Sequence, residues 1–123
     1  MAVIELTESN IEDTINQNDI VIIDFWASWC APCRAFAPIF EAAADNHPDV
    51  VFTKINTEEQ QGLASYFQIR SIPTLMIFRD QIALFNQAGM LSAPQIDELL
   101  GKVKELDMDQ IRAEIEREQN TTQ

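Results

Sequence analysis

The chain predicts an α/β fold, with a central mixed five-stranded β-sheet flanked by four α-helices and a C-terminal helical extension. Three observations carry this expectation. Short β-branched and aromatic runs alternate with helix-period segments in the order βαβαβαββα. The last two strands are adjacent, which calls for a mixed sheet sandwiched by helices. One run, Ile20-Val21-Ile22-Ile23-Asp24-Phe25, is nearly all apolar and suits a central strand buried on both faces.

The elements follow in order. Val3 to Leu6 is a short first strand. Ser9 then fits an N-cap, with Glu12 three residues on as a capping box, and Ile11 and Ile15 form the apolar stripe of the first helix. After the central strand, a helix-like pattern runs from Cys30 and contains Pro38, which removes one backbone hydrogen bond and should kink it. Pro48 ends that region. Val50 to Asn56 is the next strand, and a shorter helix fits Glu58 to Phe67. Thr74 to Phe78 and Ile82 to Phe85 read as strands joined by Arg79-Asp80-Gln81. Ser92 caps a last helix, with Gln95 at the reciprocal position.

At 123 residues and 46% hydrophobic content, the chain is one domain with a proper core. No apolar run reaches transmembrane length, and the first eight residues do not read as a secretory signal, so a cytoplasmic location is expected. The net charge is −12, and the first 33 residues hold six acids and no base. Such a chain repels phosphate backbones and anionic membrane surfaces, so neither nucleic acid nor membrane is an expected partner.

The two cysteines, Cys30 and Cys33, stand at the strand-to-helix junction in Trp29-Cys30-Ala31-Pro32-Cys33. They close too small a loop to staple a fold, so chemistry explains them better than stability. A helix N-terminus offers unpaired N–H groups and a dipole that favour a thiolate on Cys30. The two intervening residues put both sulfurs on one helical turn. Cys30 can then attack a disulfide and Cys33 can resolve the mixed disulfide. Asp24 is an acid inside an apolar run. Burial should raise its pKa, which suits a proton carrier near neutral pH. A metal site is disfavoured, since two cysteines and one histidine cannot supply four ligands.

From about Val3 to Leu106 the chain resembles the thioredoxin family. The motifs are Asp24-Phe25-Trp26-Ala27-Ser28-Trp29-Cys30-Ala31-Pro32-Cys33, Lys54-Ile55-Asn56, Ile69-Arg70-Ser71-Ile72-Pro73-Thr74-Leu75 and Gly89, in that order. The resemblance implies a disulfide reductase with no bound cofactor. Its electrons would come from NADPH through a thioredoxin reductase, and its substrates would be disulfide-containing proteins. It also implies that Asp24 lies behind Cys33 and takes its proton, with Lys54 modulating that acid. Ile72–Pro73 would be a cis-proline loop opposite Cys30, open to an incoming peptide as an added strand. Trp29, Ala31, Pro32, Ile72, Thr74, Gly89 and Met90 would line the docking face, with Trp26 as core and shielding. His47 reads as a helix C-terminal dipole partner.

The chain departs from the family in four places. Ala31 replaces a glycine between the cysteines. Gln81 stands at a turn-glycine position and is strained there if φ is positive. Thr57 replaces an aliphatic contact residue and should make the rim more polar. The fourth departure is the tail. Residues 1–106 form the thioredoxin domain, and 107–123 add an acidic amphipathic helix with Met108, Ile111 and Ile115 on one face. Asp107 with Gln110 can start it as a new helix, or the preceding helix simply runs on. The expected state is a solvated extension that frays at Gln119 to Gln123, on a monomer; the alternatives are a tail that docks on the domain, dimerises or binds a partner. A chaperone or scaffold module using this tail is the competing function class.

Overall fold

The computed structural model describes residues 3–121. The elements are β1 (Ile4–Glu5), α1 (Ile11–Gln17), β2 (Ile20–Trp26), α2 (Ala31–Asn46), β3 (Val51–Asn56), α3 (Gln61–Tyr66), β4 (Thr74–Arg79), β5 (Ile82–Ala88), α4 (Ala93–Glu105) and α5 (Met108–Thr121). The sheet order is β1-β3-β2-β4-β5. β3 runs parallel to β1 and β2, whereas β4 is antiparallel to β2 and β5. The mixed five-stranded sheet with four flanking helices and a helical extension is therefore present.

Strand alternation sends successive β2 side chains to opposite faces. Ile20 and Ile22 pack with Phe36, Phe40, Ile96 and Leu100 under α2 and α4. Val21, Ile23 and Phe25 pack with Leu63, Ile11 and Ile15 under α1 and α3. From Ile20 to Phe25 both faces of β2 are buried, as its apolar run predicts. The same alternation puts Asp24 on the α2 side, which decides its chemistry.

Local expectations fail where side chains compete for backbone groups. Asn10, not Ser9, is the N-cap of α1, and it makes no capping bond. Its Oδ1 instead accepts from the Thr7 N–H at 2.7 Å. The third helix starts at Gln61 rather than Glu58, because Asn56 Oδ1 takes the N–H groups of Glu58 and Glu59 and holds a turn there. The Ser92–Gln95 capping box is present in both halves. β5 runs three residues past Phe85, in register with β4 as far as Thr74–Ala88.

Asp80 and Gln81 form the β4–β5 turn at φ +52° and +70°. Gln81 is thus held in left-handed backbone, which for a residue with a Cβ costs about 1–2 kcal/mol. The tail begins a new helix, with Asp107 Oδ1 accepting from the Gln110 N–H at 3.2 Å. It is not a wholly solvated extension: Met108 is buried, and Ile111 and Ile115 are half-buried. α5 stays helical through Gln119, Asn120 and Thr121, where fraying was expected; Thr122 and Gln123 lie outside the described residues. No helix among the described residues is long and apolar enough to cross a membrane.

Candidate active site

β2 delivers the chain to the cysteines, and α2 begins on them. Cys30 is the N-cap residue of α2, with Pro32 in the first turn, where a missing N–H costs nothing. The Cys33 N–H points at Cys30 Sγ at 3.2 Å. Cys30 and Cys33 are joined as a disulfide, with Cα atoms 5.2 Å apart. Once reduced, Cys30 would hold its sulfur against that N–H and the positive end of a sixteen-residue helix, both of which favour the thiolate. Both cysteines are largely buried, packed with Ala27, Trp26 and Ile72. A partner must therefore bring its own disulfide to the surface edge of Cys30.

Asp24 sits beneath this pair, buried and beside Lys54 in the β2–β3 register. Desolvation pushes its pKa up to about 7, against the opposing pull of the Lys54 ammonium. Burial wins because Lys54 makes no hydrogen bond to the carboxylate; its ammonium lies over the Trp26 ring, 5.2 Å from the centroid. Neither Asp24 Oδ1 nor Trp26 Nε1 has a protein partner. A cavity of about 100 Å³ connects the groups, lined by Asp24, Trp26, Cys33, Arg34, Glu41 and Lys54. Asp24, Lys54 and Cys33 therefore share one solvent-sized space, although they come from three different elements.

Across from α2, the Ile72–Pro73 peptide is cis. It places the Ile72 carbonyl oxygen 3.7 Å from Cys30 Sγ. Gly89, at φ +104°, donates its N–H to the Pro73 carbonyl at 2.8 Å and closes the loop from behind. Flanking the cysteines in the chain, Trp29 is 63% exposed and Ala31 and Pro32 are exposed; Ile72, packed against the pair, is half-buried, and Met90, next to Gly89, is 40% exposed.

Thr74 departs from the expected docking face. It is buried, and its hydroxyl donates to the Ser71 carbonyl at 2.6 Å, so its side chain braces the loop from inside. Thr57 does not make the rim more polar either, since its hydroxyl turns inward to the Trp26 carbonyl at 3.1 Å. His47 is the C-cap of α2, and its imidazole Nε2 meets the Asp97 carboxylate on α4 at 2.7 Å. One contact has no warning in the sequence: the Trp29 Nε1–H donates to Glu58 Oε2 at 2.6 Å. Glu58 was expected to open the third helix, and only the fold brings it to Trp29.

The family model described as Thioredoxin matches residues 2–105. A relative from Streptomyces coelicolor carrying the name thioredoxin 2 is 47% identical over 116 residues, spanning 94% of this chain and 87% of that one. A thioredoxin from Buchnera aphidicola is 38% identical over 100 residues, 80% of this chain and 93% of its own. Among solved structures, a thioredoxin variant from Halobacterium salinarum superposes with a TM-score of 0.80 at 30% identity, covering 86% of this chain and 94% of that one. A helix-capping cysteine pair, its Trp-Cys-Ala-Pro-Cys motif and these relatives agree: the chain belongs to the thioredoxin family and is a thiol–disulfide oxidoreductase.

Proposed function

We propose that the protein is a protein-disulfide reductase. The observation that carries this is the placement of Cys30 as the N-cap of α2, with the Cys33 N–H aimed at its sulfur. The Cys30 thiolate attacks one sulfur of a substrate disulfide, forming a mixed disulfide and expelling the other sulfur as a thiolate. Cys33 loses its proton to Asp24 and attacks Cys30 Sγ. The second substrate thiol leaves, and Cys30–Cys33 remains oxidised. A carboxylate with a pKa of about 7 accepts and returns that proton near neutral pH, and the shared cavity is its exit to solvent. Lys54 keeps that pKa from rising further.

The Ile72–Pro73 loop serves as the substrate clamp, offering backbone beside the sulfur. Trp29, Ala31, Pro32, Gly89 and Met90 form a loosely selective apolar rim. Electrons return from NADPH through a thioredoxin reductase, and the cytoplasm is the compartment whose thiol poise suits a reductant. Residues 1–106 are the catalytic domain and 107–123 an accessory helix. Nothing in the site or among the relatives favours a chaperone or scaffold role for that helix. The test is reduction of insulin disulfides with NADPH and a thioredoxin reductase, using wild type and Cys30→Ser. Turnover by wild type alone supports the reading. A folded wild-type protein that leaves insulin intact overturns it.

A further inference from the structure

We propose that Glu58 is a positioning residue for disulfide exchange. It locks the Trp29 indole in one orientation on the rim of the Cys30–Cys33 pair, so that a protein substrate meets a preset aromatic wall. The inference rests on the reductase reading and deepens it.

Trp29 is 63% exposed, and a side chain so open ordinarily samples several rotamers. Here its Nε1–H donates to the Glu58 carboxylate at 2.6 Å, a short bond of the charge-assisted kind. Glu58 is itself held. Asn56 Oδ1 accepts from the N–H of Glu58 at 2.9 Å and of Glu59 at 3.2 Å, and the Asn56 carbonyl accepts from the Gln60 N–H at 2.9 Å. Thr57 binds the Trp26 carbonyl twice, through its N–H at 2.9 Å and its hydroxyl at 3.1 Å.

Trp26 ends β2, three residues before Trp29. Both partners of the indole bond are therefore anchored to the same rigid strand end. The bond closes a small ring of contacts from β2, through the 56–60 turn, back to the segment that carries Cys30. An exposed hydrogen bond of this kind adds little to folding, because water can replace it. Its effect falls on binding instead. A tryptophan already ordered does not have to be ordered by the substrate, and that saving is about 2- to 10-fold in affinity for one side chain.

The test compares wild type, Glu58→Ala and Glu58→Gln. Steady-state kinetics are measured with insulin and with 2-hydroxyethyl disulfide, which is too small to span the rim. The solvent-exchange rate of the Trp29 indole N–H is followed by NMR. Glu58→Ala should raise KM for insulin about 2- to 10-fold with kcat nearly unchanged, carry little of that change to the small disulfide, and speed indole exchange. Glu58→Gln keeps an acceptor oxygen and should recover most of both effects. The inference is overturned if Glu58→Ala leaves the insulin KM and the indole exchange as in wild type. It is equally overturned if both substrates slow to the same extent. Failure of wild type itself to reduce insulin would instead strike the reductase reading.

Discussion

The two ends of β2 are built on opposite terms. At its carboxyl end, polar groups are left short of partners: Asp24 Oδ1 and Trp26 Nε1 are buried without one, and Trp29 and Met90 stand in solvent. At its amino end, they are saturated. Arg79, paired with Ile20, donates from Nη1 to the carbonyls of Val103, Lys104 and Leu106 at 2.8, 3.2 and 3.0 Å and closes the end of α4. Asp80 donates its N–H to the Asp19 carbonyl and accepts from Arg112 of α5 at 3.2 Å. The Lys104–Asp49 pair at 2.6 Å adds a further tie. Saturated groups hold a shape, whereas a buried carboxyl without enough partners holds a proton too tightly and becomes available for chemistry.

The contrast is broken most completely by Cys30→Ser. Insulin reduction should fall at least about 10³-fold, because the attacking sulfur is gone and Cys33 then has no mixed disulfide to resolve. The domain as a whole should keep the urea midpoint of the reduced wild type.

Asp24→Asn comes next, and its sign follows from linkage. The folded carboxyl releases its proton at about pH 7, whereas an aspartate in the unfolded chain releases it at 3.8. Between those two pH values the unfolded chain has released a proton that the folded chain keeps, so stability falls as pH rises through that window. Urea unfolding should show a wild-type loss approaching about 4 kcal/mol from pH 4 to pH 8, and a much flatter profile in Asp24→Asn. The variant should be the more stable protein at pH 8 while resolving mixed disulfides roughly ten-fold or more slowly. A variant less stable than wild type at pH 8 would show that the carboxylate is satisfied in its site.

Met108→Ala tests the saturated pole. Met108 is 6% exposed at the start of α5, and truncating it should cost about 2–3 kcal/mol in urea unfolding, with insulin turnover unchanged. Gln81→Gly is the smallest change. It relieves a φ of +70°, and after the added freedom of the unfolded glycine a gain of about 0.5–1 kcal/mol should remain.

Much of this molecule was legible along the chain because its signals are local. The Ile20–Phe25 run, the Ser92–Gln95 box and the spacing of Cys30 and Cys33 each state a preference within a few residues, and the fold obeys them. Resemblance to the family anticipated the pairing of Asp24 with Lys54, which period and propensity do not show. Where local signals competed, the reading slipped: Ser9 and Asn10 both suit a cap, and Asn56 could begin a helix or hold a turn. Thr74 was expected on the docking face beside the Ile72–Pro73 loop, yet its side chain is buried and its hydroxyl donates back to the Ser71 carbonyl.

By itself, then, the order of residues determined the layers, the reactive pair at the head of a helix and the presence of an acid in a dry strand. Only tertiary structure decided which groups that acid would meet, that the tail's Met108 would be covered, and that Glu58 would reach Trp29 across 29 residues of chain. The physical reason is range. Helix and strand periods act over one or two turns, but desolvation and hydrogen bonding depend on every element that arrives at the same place, and the chain order does not record those arrivals.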